Sequence, residues 1–290
     1  MGFKKIFRLL KETFKEWQLD KSSRLAASLA YYTVFSLAPL LIIVIAIAGA
    51  IFGEEAARGE IVSQIQGLVG KQGATVIEEA IQNADKPQVS SIASIFSLIF
   101  LFIGASGVFA HLQESLNAIW NVKAKPKNSI VGFVRKRILS FSAVLGIGFL
   151  LLISLILSAA ISALSNYLSG LVPGVDLLWR ILNFVVSFGV VTLLFALMYK
   201  YLPDVEIEWG DVWTGSLITA ILFTVGKFVL GLYLGQGSFG STYGAAGSLV
   251  IILAWVYYSA QILFFGAEFT QVYARKYGSQ IVPDEHAVRV

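Results

Sequence analysis

Residues 29–53 read LAYYTVFSLAPLLIIVIAIAGAIFG, twenty-five positions without Asp, Glu, Lys or Arg. The hydrocarbon core of a bilayer is about 30 Å thick and takes roughly 20 apolar residues in helix to cross. A core helix of a soluble protein has no need to be apolar on every side for that length. The stretch therefore reads as a membrane span. Five more follow, at about 91–110, 138–164, 181–199, 212–234 and 245–267, and only the fifth span holds a charge, Lys227. Their length, and the lack of alternating ten-residue segments, select helices over a β-barrel.

Composition agrees. Of 290 residues, 57% are hydrophobic and 14% charged, against about 45–50% and about 25% in soluble domains. An ordinary soluble enzyme, a disordered chain and a nucleic-acid-binding domain are excluded. There is no cysteine, which removes disulfides, thiolate metal sites and cysteine nucleophiles. The expected fold is an all-α membrane protein with a six-transmembrane-helix bundle over 29–268. A basic amphipathic helix precedes it in 1–28, an outer-face helical hairpin interrupts it in 54–90, and a tail follows over 269–290.

Lys and Arg in the connections set the orientation. The N-terminal segment carries seven (Lys4, Lys5, Arg8, Lys11, Lys15, Lys21 and Arg24), and the second loop six. Alternate sides total seventeen against four, so both termini are expected in the cytoplasm. The net charge of +4 is then a topology signal, and no nucleic-acid partner is needed. The fourth loop, with Asp204, Glu206, Glu208 and Asp211, looks wrong for the inside, but acids count little in this rule. The apolar run of the first span exceeds the 7–15 residues of a signal h-region, so that helix is expected to be uncleaved. Position 6 lacks the Ser or Thr of a myristoylation signal.

Phe3, Ile6, Phe7, Leu10, Phe14 and Trp17 share one helical face, and Lys4, Lys5, Arg8, Lys11 and Lys15 occupy the rest. This pattern suits a helix lying in the membrane interface beside anionic headgroups. The alternative is packing on the protein's own cytoplasmic loops. In 54–90, Ile61, Ile65, Leu68 and Val69 form one stripe and Val76, Ile77, Ala80 and Ile81 another. They predict a hairpin that is either a lid over a cavity or a cap on the bundle.

Several residues are candidates for function. Lys227 lies about eight residues from the outer end of its helix, so about 12 Å deep at the helical rise. It either faces a polar cavity and binds a substrate anion or snorkels outward. Pro39 should kink the first span, and Tyr31, Tyr32, Thr33 and Ser36 surround it. In lipid those polar groups want partners, so their face should look into the bundle. With Gly104, Ser106 and Gly107 they can line a cleft joined by Trp255, Tyr257, Tyr258 and Gln261 of the sixth span. The run 231–248 contains Gly235-x-Gly237-x-x-Gly240. It lacks the strand, helix and acid of a dinucleotide fingerprint. It reads either as a loop dipping into the membrane, with Gly237, Gly240 and Tyr243 near a headgroup, or as a flexible turn. His111, Glu114, Asn117 and Glu268 form a polar cluster at the cytoplasmic ends. Glu268 is expected to pair with Arg275, His111 or an arginine of the second loop. Two neighbouring side chains do not make a zinc site, which takes about three protein ligands. No metal, cofactor or catalytic residue is expected.

The segments LAYYTVFSLAPLL (29–41), LQESLNAIWNV (112–122) and YGAAGSLVIILAWVYYSAQILFFGAE (243–268), with the basic N-terminus and six spans, resemble the YihY/BrkB family. These are multipass bacterial inner-membrane proteins once mislabelled ribonuclease BN. The resemblance covers about 20–275 and implies an inner-membrane protein with no active-site residue to carry over. Roles in envelope lipid handling, serum resistance or export of small solutes have been suggested for the family. The nuclease label fits poorly, because no carboxylate cluster for two metals is present. The expectation is a non-enzymatic transporter or flippase-like protein moving an anionic lipid or small polar solute, with membrane lipids as partners. A non-transporting envelope scaffold or assembly factor is the alternative, and a homo-oligomer is left open by the sequence.

Overall fold

The computed structural model describes residues 3–53, 107–125, 176–236 and 247–290 apart from 286, with scattered positions between 55 and 79. The predicted span 138–164 and nearly all of 91–110 lie outside the described residues, as does most of the hairpin.

The described part is helical with two very short sheets. Helix α1 runs Phe3–Leu19 and α2 runs Ser22–Phe52. Helix α3 covers 107–119 and leads into strand β1, Val122–Ala124. Helix α4 spans Asp176–Tyr201, β2 is Val205–Glu206, and α5 spans Trp209–Gln236. Helix α6 runs Gly247–Tyr277, followed by β3, Val282–Pro283, and β4, Ala287–Arg289.

Three helical stretches are long and apolar enough to cross a bilayer: Leu177–Tyr201, Trp209–Leu230 and Leu249–Tyr277. A fourth is α2, whose parts Ser22–Leu37 and Leu40–Ala46 meet at 54°. The bend brackets Pro39, and a proline has no N–H for the helical ladder. Both α2 and α6 run further than their apolar stretches toward the chain termini. The extra turns receive α1.

Small residues set the packing of α5 on α6. A β-carbon on Gly215 would overlap the Thr270 side chain, and one on Gly266 would overlap Thr219 Oγ1. A β-carbon at Gly226 would sit 2.5 Å from Tyr258 Cε1. The three contacts step in opposite directions along the two helices, so α5 and α6 are antiparallel and closely apposed. Packing of this kind substitutes for the hydrophobic driving force that lipid removes. Tyr199 of α4 joins the seam: its hydroxyl donates to Leu263 O at 2.7 Å and lies 3.0 Å from Thr219 Oγ1.

One end of the bundle carries both termini. Strand β1 pairs antiparallel with β4, and β2 with β3, so the tail ties the segment after α3 to the segment after α4. Lys125 Nζ donates to Glu285 O, and Val290 N to Asn121 O. Helix α1 lies against the last turns of α6, with Leu9 buried on Phe269 and Val272. The N-terminus, 120–125, 202–208 and the tail thus occupy one side, as the alternation of Lys and Arg predicts. Asp204 and Asp211, the acids that looked misplaced there, are hydrogen-bond acceptors rather than free surface charges. Asp204 takes Gln113 Nε2 and Asn117 Nδ2, and Asp211 takes the backbone N–H and hydroxyl of Ser279.

At the opposite end, Ile77 and Ile61 pack with Ile45 of α2 and with Ile251 and Ile252 of α6. The described positions between 55 and 79 are helical, and Ile61 and Ile77 lie against the bundle at this end.

Candidate functional site

The seam between α5 and α6 brings Lys227, Trp255 and Tyr258 together. With Phe223, Leu230, Ser259 and Ile262 they line a recess opening on the flank of the helix pair. Gly226 lets α5 approach Tyr258 closely beside the recess, since any larger residue would meet the Tyr258 ring. Phe223 meets Trp255 edge-on, with ring centres 6.0 Å apart. The Trp255 indole N–H is buried without an acceptor, and Gln261 Oε1, six residues further on, is buried without a donor. Lys227 itself is exposed, beside the exposed apolar side chains of Val225, Phe228 and Val229. Lys227 thus belongs both to the lining of the recess and to the exposed face of α5. The recess is narrow and too tight to admit a water molecule.

The polar face around Pro39 divides. Ser36 is buried beside Gly107 of α3, and Thr33 Oγ1 donates to Leu29 O at 2.7 Å, satisfying itself within the helix. Tyr32 stacks on His111 with ring centres 4.7 Å apart, while Tyr31 packs on Phe35 and is 60% exposed. Tyr31 and Tyr32 are both exposed, at 60% and 45%, so neither is turned fully into the bundle as expected. Pro39 contributes through its backbone bend. Gly237, Gly240 and Tyr243 lie outside the described residues.

The expected cluster of His111, Glu114, Asn117 and Glu268 separates into three environments. His111 contacts the Leu25 backbone and has Nε2 buried without a partner; burial holds its pKa below the ordinary value against the opposing pull of Glu114. Glu114 is on the exposed face of α3. Asn117 faces Asp204, donating at 2.7 Å from Nδ2 and accepting the Asp204 N–H at 2.8 Å. The neighbouring Trp120 donates its indole N–H to Ala267 O.

Glu268 does not meet Arg275 or His111, and the second-loop arginines lie outside the described residues. It is fully buried and accepts Ser22 Oγ at 2.9 Å. The other group within hydrogen-bonding reach is a second acid, Asp20. Arg275 instead binds Glu12 at 3.1 Å and Glu16 at 2.9 Å, and Lys276 also binds Glu12. The reason is the helix geometry: Arg275 lies seven residues past Glu268, about 10 Å along the axis, and Glu12 and Glu16 are at its level. Burial pushes the Glu12 carboxyl up, but Lys276 and Arg275 outweigh that and hold it below the usual value. Burial, with the charge of Glu16 added, pushes Asp20 above the usual carboxylate range. Sequence reading missed Asp20, Ser22 and Asp204. Only the odd acidity of the fourth loop pointed at the last of these. No group of three or more metal-ligating side chains occurs among the described residues.

Comparison with known proteins gives a consistent result. The family described as "Virulence factor BrkB" matches residues 13–290. A UPF0761 membrane protein of Acinetobacter baylyi is 24% identical over 90% of this chain and 61% of its own length. One from Rhodospirillum centenum is 29% identical over 85% of this chain and 53% of its own length. A third, from Verminephrobacter eiseniae, is 30% identical over 89% and 60%. The chain thus spans about three-fifths or less of these relatives. No solved structure matches. The apolar helices, the bent first span and a match over nearly the whole sequence lead to one conclusion: the chain is an integral membrane protein and belongs to the BrkB family.

Proposed function

We propose that this protein moves an anionic amphiphile, a lipid with a negatively charged headgroup, across the bacterial inner membrane along the α5–α6 seam. The observation that carries the reading is Lys227, on the exposed face of α5 and in the lining of the recess with Trp255, Tyr258 and Ser259. An ionisable side chain within a span is costly, about 2.5–3.5 kcal/mol on insertion scales, and is kept where it serves a pathway. There it can hold a headgroup while the acyl chains stay in the bilayer. The glycine contacts of α5 provide a seam that can part without breaking large interlocked side chains.

Helix α1 fits the same reading. Its apolar face, Ile6, Phe7, Leu10 and Phe14, remains exposed after α1 has packed on α6, and Lys4, Lys5, Arg8, Lys11 and Lys15 flank it. A face of that composition lies in a bilayer interface and concentrates anionic headgroups. In this reading both termini are cytoplasmic, lipids are the partners and no chemical step is catalysed. The small polar solute of the same charge is a second cargo for the same lysine.

The test is lipid movement in vesicles reconstituted with the purified protein and a fluorescent phosphatidylglycerol. Wild type should speed exchange between leaflets, Lys227→Leu should lower it severalfold, and Lys227→Arg should keep most of it. Equal rates with and without protein would leave the scaffold reading, which the tight recess favours.

A further inference from the structure

We propose that Asp20 and Glu268 hold one proton between them, and that this proton latches α1 onto the end of the bundle. The geometry requires a proton. Two carboxyl groups lie within hydrogen-bonding reach, and ionised carboxylates are acceptors only. Among the described residues the donor to this pair is Ser22 Oγ, and it serves Glu268 Oε1. Glu268 Oε2 and Asp20 Oδ2 are both buried without a donor. Glu268 is fully enclosed, so water does not satisfy it. A proton on one carboxyl lets it donate to the other, as in any pair of like-charged acids sharing a site.

Among the described residues no cation does the same work. On α1 the charged neighbours are Glu12 and Glu16; on α6 they are Arg275 and Lys276, which are engaged with those two glutamates. Lys21 and Arg24 at the start of α2 are exposed. His111 of α3 is turned to Leu25 and Tyr32, with Glu114 on the outer face, and Asp211 at the start of α5 is held by Ser279. The charged side chain that acts on both carboxyls is Glu16, and it is negative.

The pair also sits beside the turn between α1 and α2, where Lys21 has a left-handed backbone with φ 54°. Ionising both acids places two negative charges in a buried contact beside this turn. The contact then opens, and α1 swings from α6 with its apolar face still in the interface. A raised carboxyl pKa gives a contribution that is full at low pH and lost as pH rises through the folded-state value.

The experiment uses the full chain, which has no cysteine of its own. Spin labels at Lys11→Cys on α1 and Lys123→Cys on β1, both exposed, report the distance between helix and platform by pulsed electron resonance. Between about pH 6 and about pH 9 a second, longer distance should appear in the wild-type background. Glu268→Gln, which stays neutral and can donate, should keep the short distance throughout, with helix content by circular dichroism as the folding control. The proposal is overturned if the wild-type distances do not change with pH, if Glu268→Gln responds as wild type does, or if sodium in place of an organic cation shifts them at fixed pH.

Discussion

Gly266 of α6 lies directly against Thr219 of α5, so closely that a β-carbon on the glycine would overlap the threonine hydroxyl and crowd Tyr199 OH. Three helices meet at that point. Overpacking a tight core costs about 1–3 kcal/mol. Gly266→Val should therefore lower the thermal unfolding midpoint in detergent by several degrees. Gly210→Ala should leave it unchanged, since nothing lies within 4 Å of a β-carbon there.

Asn117 and Asp204 exchange two hydrogen bonds, and Asp204 O also accepts the N–H of Asp284 in the tail. Removing one partner from a buried pair strands the other, at about 1–3 kcal/mol. Asn117→Ala should loosen the tail as well as α3. The check is limited proteolysis: cleavage within 278–290 should be several times faster than in wild type.

The ion pairs of Glu12 with Arg275 and Lys276 respond to acid. The folded-state pKa of Glu12 is depressed, so its contribution is present above the unfolded value and lost as pH falls through the folded one. Between the distances labelled on α1 and β1, a longer component should also appear below about pH 4. Glu12→Gln should show that component already at neutral pH, to a small extent because these groups are partly exposed.

A spin label at Leu10→Cys, on the exposed face of α1, should collide with oxygen dissolved in the bilayer more often than with a water-soluble nickel complex. One at Lys11→Cys, a position next to it on the basic side, should show the reverse balance. Equal water exposure at both would place α1 off the membrane.

What the sequence revealed was whatever depends on long runs or on single residues with strong backbone effects. The first, fourth and sixth spans are visible as charge-free stretches and the fifth as one broken only by Lys227, and the bend follows from Pro39. The shared side of the termini and the second and fourth loops follows from where Lys and Arg fall. What it hid depends on contacts between distant short segments. Strand β1 is three residues long and meets β4 more than 160 positions later, too short for any alternation to show. The Asp20–Glu268 contact joins the two ends of the chain, and ordinary charge pairing pointed Glu268 toward Arg275 instead. At the recess, Lys227, Trp255 and Tyr258 were legible as polar groups in apolar helices. Gly226, which lets α5 approach Tyr258, looked like any other small residue of a span.

The proposed route requires α5 and α6 to part, because the recess does not admit water as it stands. Phe223 of α5 and Ile262 of α6 both line it. With Phe223→Cys and Ile262→Cys as the sole cysteines, joined by a short bifunctional thiol reagent with a reducible link, lipid exchange in vesicles should stop and should return on reduction. Exchange at the same rate in the bridged and reduced protein would contradict the route.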